Sequence, residues 1–427
     1  MTEPTPIRPP GSPLSRRQLF AVTLGNGFEF YDFTVYGFFA VPIGRIFFPT
    51  VSPWTSLLLS VAVFGVGFGA RPLGAVFFGA YADRHGARSG MLLTVVLMTL
   101  GTLMVVVMPG YAVLGPAAPV LMVAARLVQG FALGGEIGPS TTFLLERARP
   151  GQRARSVSWQ IALHGAAVLA AGTLGYGLTT ALPPEARDAW GWRLAMLFGL
   201  GILPVGLVLR SCLPRDAAPA RRGPRPSIRS ALARPRRLVS AVVVITSGTV
   251  PFYIGGYLTS FAVTALEMAP STALLAAVAS GSTTMIAAPL GGRVADRFGR
   301  RPVLVASRLG MTALAGPAFL WLAAGGGPLA LLTVSGGLAA LNTFGSAAGL
   351  CMILESFPAG VRATGLGVVY AIGVSLFGGL TQFAATGLTI ATGDPLSPAY
   401  LLAGAGLAGI AAAFGLPETA ESAPRAA

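Results

Sequence analysis

Glu29 and Asp32 stand three residues apart in an apolar stretch, so on a helix they share one face, with Tyr36 one turn further on. Counted from residue 20, Asp32 lies about 18 Å along such a helix, near the middle of a bilayer. An ionisable group at that depth costs on the order of 3 kcal/mol or more, which makes each one a candidate for function. Arg126, Gln129, Leu133 and Glu136 follow i, i+3, i+7, i+10 and form one inward stripe. Gly130 and Gly134 lie beside that stripe and permit close helix packing. Arg71 sits deep in another apolar run. Two chemistries fit these residues. In one, Asp32–Arg126 or Glu29–Arg71 are fixed ion pairs that lock helices together. In the other, a carboxylate alternates between pairing with arginine and carrying a proton, and its protonation frees Arg126 to grip a substrate carboxylate bidentately.

Further polar groups are candidates for the same site. His164 follows Gln160 by four residues on one helix face, as a site or proton-path residue or as a packed histidine. Tyr253, Tyr257, Asn342, Tyr370 and Gln382 are expected to complete a hydrogen-bonding wall from the second half. Arg308, eight residues into an apolar run, reads as snorkelling to the surface. Other chemistries are excluded. All thirty cations are arginine, so a phosphate loop ending in Gly-Lys and a Schiff-base lysine are both absent. Cys212, Cys351, His85 and His164 have no metal-ligand spacing, and neither a metal nor a cofactor is expected. Gly65-x-Gly67-x2-Ala70 matches a dinucleotide fingerprint only formally, with no strand before it. No nucleophile–base pair is visible, so the chain does not read as an enzyme.

The elements that must position these residues follow from composition. Of 427 residues, 53% are hydrophobic and 11% charged, too few charges to cover a soluble surface. About twelve apolar runs are near the ~20 residues of a spanning helix: 19–46, 54–82, 90–109, 117–145, 156–182, 191–212, 239–266, 271–295, 301–324, 327–355, 362–390 and 397–416. Arginines crowd alternate loops, which places those loops and both termini in the cytoplasm of a cell-membrane protein. Arg16-Arg17 resembles a twin-arginine signal, but the following run carries Glu29 and Asp32 and no small-residue cleavage site. The domains expected are a tail (1–18), a six-helix bundle (19–212), a basic linker (213–238), a second bundle (239–416) and a tail (417–427). The linker has no aromatic residue for base stacking, so it reads as a topology-setting, lipid-facing loop rather than a nucleic-acid site.

An internal repeat divides the chain. Gly79-Ala-Tyr-Ala-Asp83-Arg84-His85-Gly86-Ala87-Arg88 recurs, 213 residues on, as Gly292-Arg-Val-Ala-Asp296-Arg297-Phe298-Gly299-Arg300-Arg301. Glu146 and Arg153 bracket Pro150-Gly151 as Glu355 and Arg362 bracket Pro358 and Gly360. These residues suit a cytoplasmic gate: the glycines let helices touch, the aspartates cap helix starts, and the arginines reach Glu146 or Glu355.

The Gly-x3-Asp-Arg-x-Gly-Arg-Arg turn in both halves resembles the major facilitator superfamily signature, with Ala87 in place of the penultimate arginine in the first copy. Gly25-Asn26-x2-Glu29-x-Tyr31-Asp32-Phe33, Arg71-Pro72-Leu73-Gly74, Arg126-Leu127-x-Gln129-Gly130 and Gly134-Gly135-Glu136 resemble its metabolite:proton symporter family. Ser158-Trp159-Gln160, Trp190-Gly191-Trp192-Arg193, Val361-Arg362-Ala363-Thr364-Gly365 and Phe377-Gly378-Gly379-Leu380-Thr381 are similar to the citrate/tricarballylate–proton symporters. The resemblance implies an all-α membrane protein of twelve helices in two pseudo-symmetric bundles, with Tyr31 added to the site. It implies proton-coupled uptake of a small organic anion, a di- or tricarboxylate, by a monomer. Transport of 2-oxoglutarate, shikimate, or proline or a betaine stays open, as does a non-transporting sensor.

Overall fold

The computed structural model describes residues 27, 30–85, 87–134, 137–201, 235–358 and 361–419, without the side chains of 79–80, 82–92 and 138–139. Among the described residues the chain is helical, with no strand. In the first half, α1 runs over 30–38 and continues as Ala40–Phe47, and α2 is Pro53–Gly69 continued by Arg71–His85. Next come α3 (Ala87–Val107), α4 (Ala117–Leu133, continued by Ile137–Glu146), α5 (Arg153–Ala181) and α6 (Trp192–Gly199). The second half has α7 (Pro235–Thr264), α8 (Pro270–Phe298), α9 (Arg300–Ala323) and α10 (Gly327–Ser356). It ends with α11, which is Arg362–Ile372 joined by a π-helical turn to Gly379–Thr392, and α12 (Ser397–Ala413). The expected linker 213–238 lies outside the described residues up to 234, and α7 already begins at Pro235.

Local sequence explains where these helices start and turn. Proline occupies the first turn of α2, α8, α10 and α12, where its missing N–H costs nothing. Gly299 between α8 and α9 has φ 103°, a conformation side chains resist, and so reverses the chain in one residue. Pro251, Pro289 and Pro317 lie inside helices and each removes one backbone hydrogen bond.

Among the described residues, seven helices are long and apolar enough to cross a bilayer, and three shorter ones are apolar. Large apolar side chains such as Leu73, Val76, Val120, Leu329 and Leu407 face outward, as lipid requires and water would penalise. Lipid gives apolar helices little drive to associate, so small residues set the contacts. α5 lies along α8, and α2 packs on α11. Each pair becomes the other when helix numbers shift by six, the mark of two pseudo-symmetric halves.

Candidate functional site

Between the halves lies a two-lobed cavity. The lobes share wall residues, including Phe30, Phe252, Tyr253, Asn342 and Thr343. The first lobe is faced by Phe33, Phe38, Phe64 and Tyr253 and carries Arg71 and Gln382. The second carries Gln160, His164, Arg308 and Tyr370. The α5–α8 seam is closed on both sides of the cavity. Gly172 and Gly175 meet Ala277 and Leu274 toward one end, and Gly292 meets Ala154 and Ser158 toward the other.

Close packing of α2 on α4 sets the arginines of the first half. A Cβ at Gly130 would collide with the Gly67 carbonyl, and one at Gly134 with the Arg71 carbonyl. The guanidinium of Arg71 lies 4.0 Å from the Phe68 ring centre and 5.0 Å from that of Phe33. Arg126 lies over Tyr36 at 3.6 Å and 5.7 Å from Phe33. All three Arg126 side-chain nitrogens are buried without a hydrogen-bond partner. Such contacts are worth about 2 kcal/mol when desolvated, so the rings partly replace lost hydration.

Asp32 is 3% exposed, and its Oδ2 accepts a hydrogen bond from Gln129 Nε2 at 2.7 Å. The same nitrogen donates to Thr102 Oγ1 at 2.9 Å. Asp32 Oδ1 is buried with no partner. The structure therefore brings Asp32 and the α4 stripe together, but through Gln129 and not through a direct Asp32–Arg126 ion pair. Helix register accounts for this: α1 and α4 run in opposite senses, so residue 32 meets 129 and residue 36, one turn later, meets 126.

Sequence-predicted residues divide by place. Arg71, Tyr253, Asn342 and Gln382 face the first lobe, and Gln160, His164, Tyr253, Asn342 and Tyr370 the second. His164 stacks on Phe30, ring centres 3.5 Å apart. Gln160 Oε1 accepts from Thr141 Oγ1 at 3.0 Å. Asp32, Arg126 and Gln129 lie behind the first lobe's wall. Tyr31 donates to the Ala195 carbonyl at 2.8 Å, Tyr36 to the Ser60 carbonyl at 3.2 Å, and Tyr257 packs on Phe261; these three sit in the packed interior. Glu29 and Glu136 lie outside the described residues.

Arg308 does not snorkel. It is 1% exposed and faces the second lobe, held by Ser247 and Asn342. Hydropathy could flag its depth but not its direction.

A second cluster closes the arginine-rich end. Asp296 Oδ1 and Oδ2 accept hydrogen bonds from the backbone N–H groups of Ala154 and Arg155 at 3.0 and 2.9 Å. A carboxylate of α8 thus caps the start of α5, where the helix dipole favours negative charge. Arg153 pairs with Glu355 at 3.2 Å, and Arg362 approaches Glu146 at 3.8 Å. All three links join the two halves. Arg300 pairs with Asp296 at 3.2 Å and lies 3.6 Å from Glu355, a central place that sequence reasoning gave to its neighbours. The turn at Gly299 brings the first residue of α9 back against Asp296 in the last turn of α8. Arg301 turns away to donate to the carbonyls of Ala413 and Leu416, and Arg297 is exposed over Phe298. The surroundings of Gly79 and the side chains of Asp83, Arg84 and Arg88 lie outside the described residues.

Known proteins share this architecture. The sugar (and other) transporter family matches residues 19–214 and 227–423. The chain belongs to that family, within the major facilitator superfamily. Its relatives include a citrate-proton symporter of Salmonella typhi, 36% identical over 92% of each chain. The alpha-ketoglutarate permease of Escherichia coli is 31% identical over 88% of each. The proline/betaine transporter of Salmonella typhimurium is 29% identical over 95% of this chain and 84% of its own length. The xylose transporter XylE of E. coli, in a partially occluded inward-open form, superposes with a TM-score of 0.72 at 17% identity, over 94% of this chain and 98% of that one. This major facilitator protein has the superfamily's twelve-helix fold in two six-helix halves, is a membrane-embedded transporter and is not an enzyme.

Proposed function

We propose that this transporter is a proton-coupled symporter that takes up a small organic anion, a di- or tricarboxylate such as citrate or tricarballylate, by alternating access. One observation carries the reading: the inter-half cavity presents arginine to its contents, Arg71 in one lobe and Arg308 in the other. An anion is the ligand that completes such a wall. The citrate-proton symporter relative supports the same class.

Asp32 is the proton carrier in this scheme. Its Oδ1 and the Arg126 nitrogens are all buried without hydrogen bonds, an arrangement in which loading a proton changes what each group needs. Phe33, one residue from Asp32 and on the cavity wall, is near both guanidiniums and links the proton site to the substrate. The domains are bundles 19–212 and 239–416, the second extended back to Pro235 by the start of α7, joined by the remainder of the linker 213–238, with the tails and the arginine-rich end cytoplasmic. The bundles rock about the cavity, and the Asp296, Glu355 and Glu146 links form the cytoplasmic gate.

The aromatic wall also suits a quaternary amine such as a betaine. Against that, Arg71 already occupies positions over Phe33 and Phe68 with the protein's own cation.

Substrate-induced proton uptake in proteoliposomes decides between them, screened over citrate, tricarballylate, itaconate, 2-oxoglutarate, shikimate and betaine. Proton entry driven by a polycarboxylate is expected. Uptake of betaine alone, or anion transport with no proton movement, would overturn the proposal.

A further inference from the structure

Arg308 is a buried cation without an acid. Two turns into α9, its Nε donates to Ser247 Oγ at 3.1 Å and its Nη1 to Asn342 Oδ1 at 2.8 Å. Longer contacts of 3.4 Å run from Nη1 to Ser307 Oγ and to the Asn342 carbonyl. Every partner is neutral, and among the described residues no carboxylate pairs with it. The placement is built: Asn342 Nδ2 donates to the Gly248 carbonyl at 3.0 Å, which turns the amide oxygen toward the arginine. Nη2 is left on the side of Gly248, a wall residue of the second lobe. A guanidinium fixed in apolar surroundings is costly unless an anion joins it, and the cavity is where one can enter.

The two lobes each carry one such cation, Arg71 in the first and Arg308 in the second, and Asn342 belongs to both walls. We propose that Arg308 binds a second carboxylate of the substrate, so that the cavity selects dianions reaching from lobe to lobe over monoanions and zwitterions. This rests on the anion reading of the same cavity and adds to it a residue, a subsite and a selection rule. Ser247 and Asn342 act as positioning residues that hold the guanidinium plane while Nη2 stays available. The rule also explains how one fold can distinguish a dicarboxylate from a zwitterion bearing a single carboxylate: only the former neutralises both lobes.

The test uses the full chain in proteoliposomes and two probes, tricarballylate and its dimethyl ester, which keeps one carboxylate. The wild-type protein should bind tricarballylate about 10- to 100-fold more tightly, the worth of a hydrogen bond to a charged group. Arg308→Gln should bring the two probes to within about threefold of each other, near the ester's wild-type affinity. Asn342→Asp provides a second route that keeps the cation. Its carboxylate would sit beside Nη1 and neutralise Arg308 from within, so the preference for tricarballylate should collapse while the fold is kept. An undiminished preference in either variant overturns the role of Arg308 and leaves the symporter reading standing. Failure of the wild-type protein to bind tricarballylate or any other polycarboxylate of the screen removes both.

Discussion

Replacing Asp32 by Asn is expected to separate transport from its driving force. The amide keeps the side chain's shape and one oxygen able to accept from Gln129 Nε2, now 2.7 Å from Oδ2. The hydrogen bond changes from charge-assisted to neutral, a loss of about 1 kcal/mol. Arg126 loses a neighbouring opposite charge but keeps its place over the Tyr36 ring. Because Asp32 and Arg126 make no direct ion pair, the cost should fall below the roughly 3–5 kcal/mol of a broken buried pair, and the variant should fold. Its effect on coupling is much larger. One pH unit across the membrane is worth about 1.4 kcal/mol per proton, or a tenfold concentration ratio. With one proton per substrate, wild-type vesicles should accumulate about tenfold per unit, and Asp32→Asn vesicles should stop at equal concentrations. The assay is paired: accumulation driven by a pH step, and substrate counterflow with no gradient. Counterflow should persist while accumulation vanishes. Uphill uptake at wild-type levels in the variant would refute Asp32 as the proton carrier, and loss of counterflow in a folded variant would make it a substrate or structural residue instead.

Other consequences are equally direct. Asp296→Ala removes two cap hydrogen bonds between halves, so it should alter turnover several-fold while substrate affinity, measured at equilibrium, stays near wild type; an affinity loss with unchanged turnover would contradict a gate. Gly130→Leu puts a side chain where α4 meets the Gly67 backbone, and should abolish folded protein on size-exclusion chromatography. Glu418 accepts from the backbone N–H groups of Arg300 and Arg301 at 3.0 and 2.8 Å, so Glu418→Ala should cost about 0.5–2 kcal/mol, read as a lower thermal midpoint.

Legibility in the sequence followed the scarcity of charge. In a chain with 11% charged residues, each buried one stands out, and helical spacing puts Gln129 on the inward stripe of α4, although the sequence pairs it with no acid and matches Asp32 to Arg126 instead. The half-length repeat singles out Asp296, Arg153, Glu355, Glu146 and Arg362, which meet at one end. What the repeat obscured was Arg300: its counterpart in the first half is Ala87, so comparison of the copies drew attention to Arg301. Cavity membership was the least legible property. In lipid both faces of a helix are apolar, so Tyr36 and Tyr257, which pack inside, look like Tyr253 and Tyr370, which face the cavity. For Arg308, depth in the helix is compatible with either direction, and only the Asn342 carboxamide settles it.

The placement of acids and cations gives the proposed cycle its direction. At the arginine-rich end, Arg153 and Arg362 face Glu355 and Glu146 at a part-exposed rim, around the buried Arg300, Asp296 and Glu355. Opening there exchanges ion pairs for water, which costs little where the groups are already part-exposed, as Glu146 and Arg153 are. In the cavity the balance is reversed, for Arg71 and Arg308 face the lobes with no carboxylate partner among the described residues. Closing around an empty cavity keeps both cations from bulk water, whereas closing around a dianion neutralises them. A ligand shifts a conformational equilibrium only through its differential affinity for the two states, and neutralisation supplies that difference here. The loaded protein should therefore cross the closed state more readily than the empty one, which is the condition that separates transport from leak.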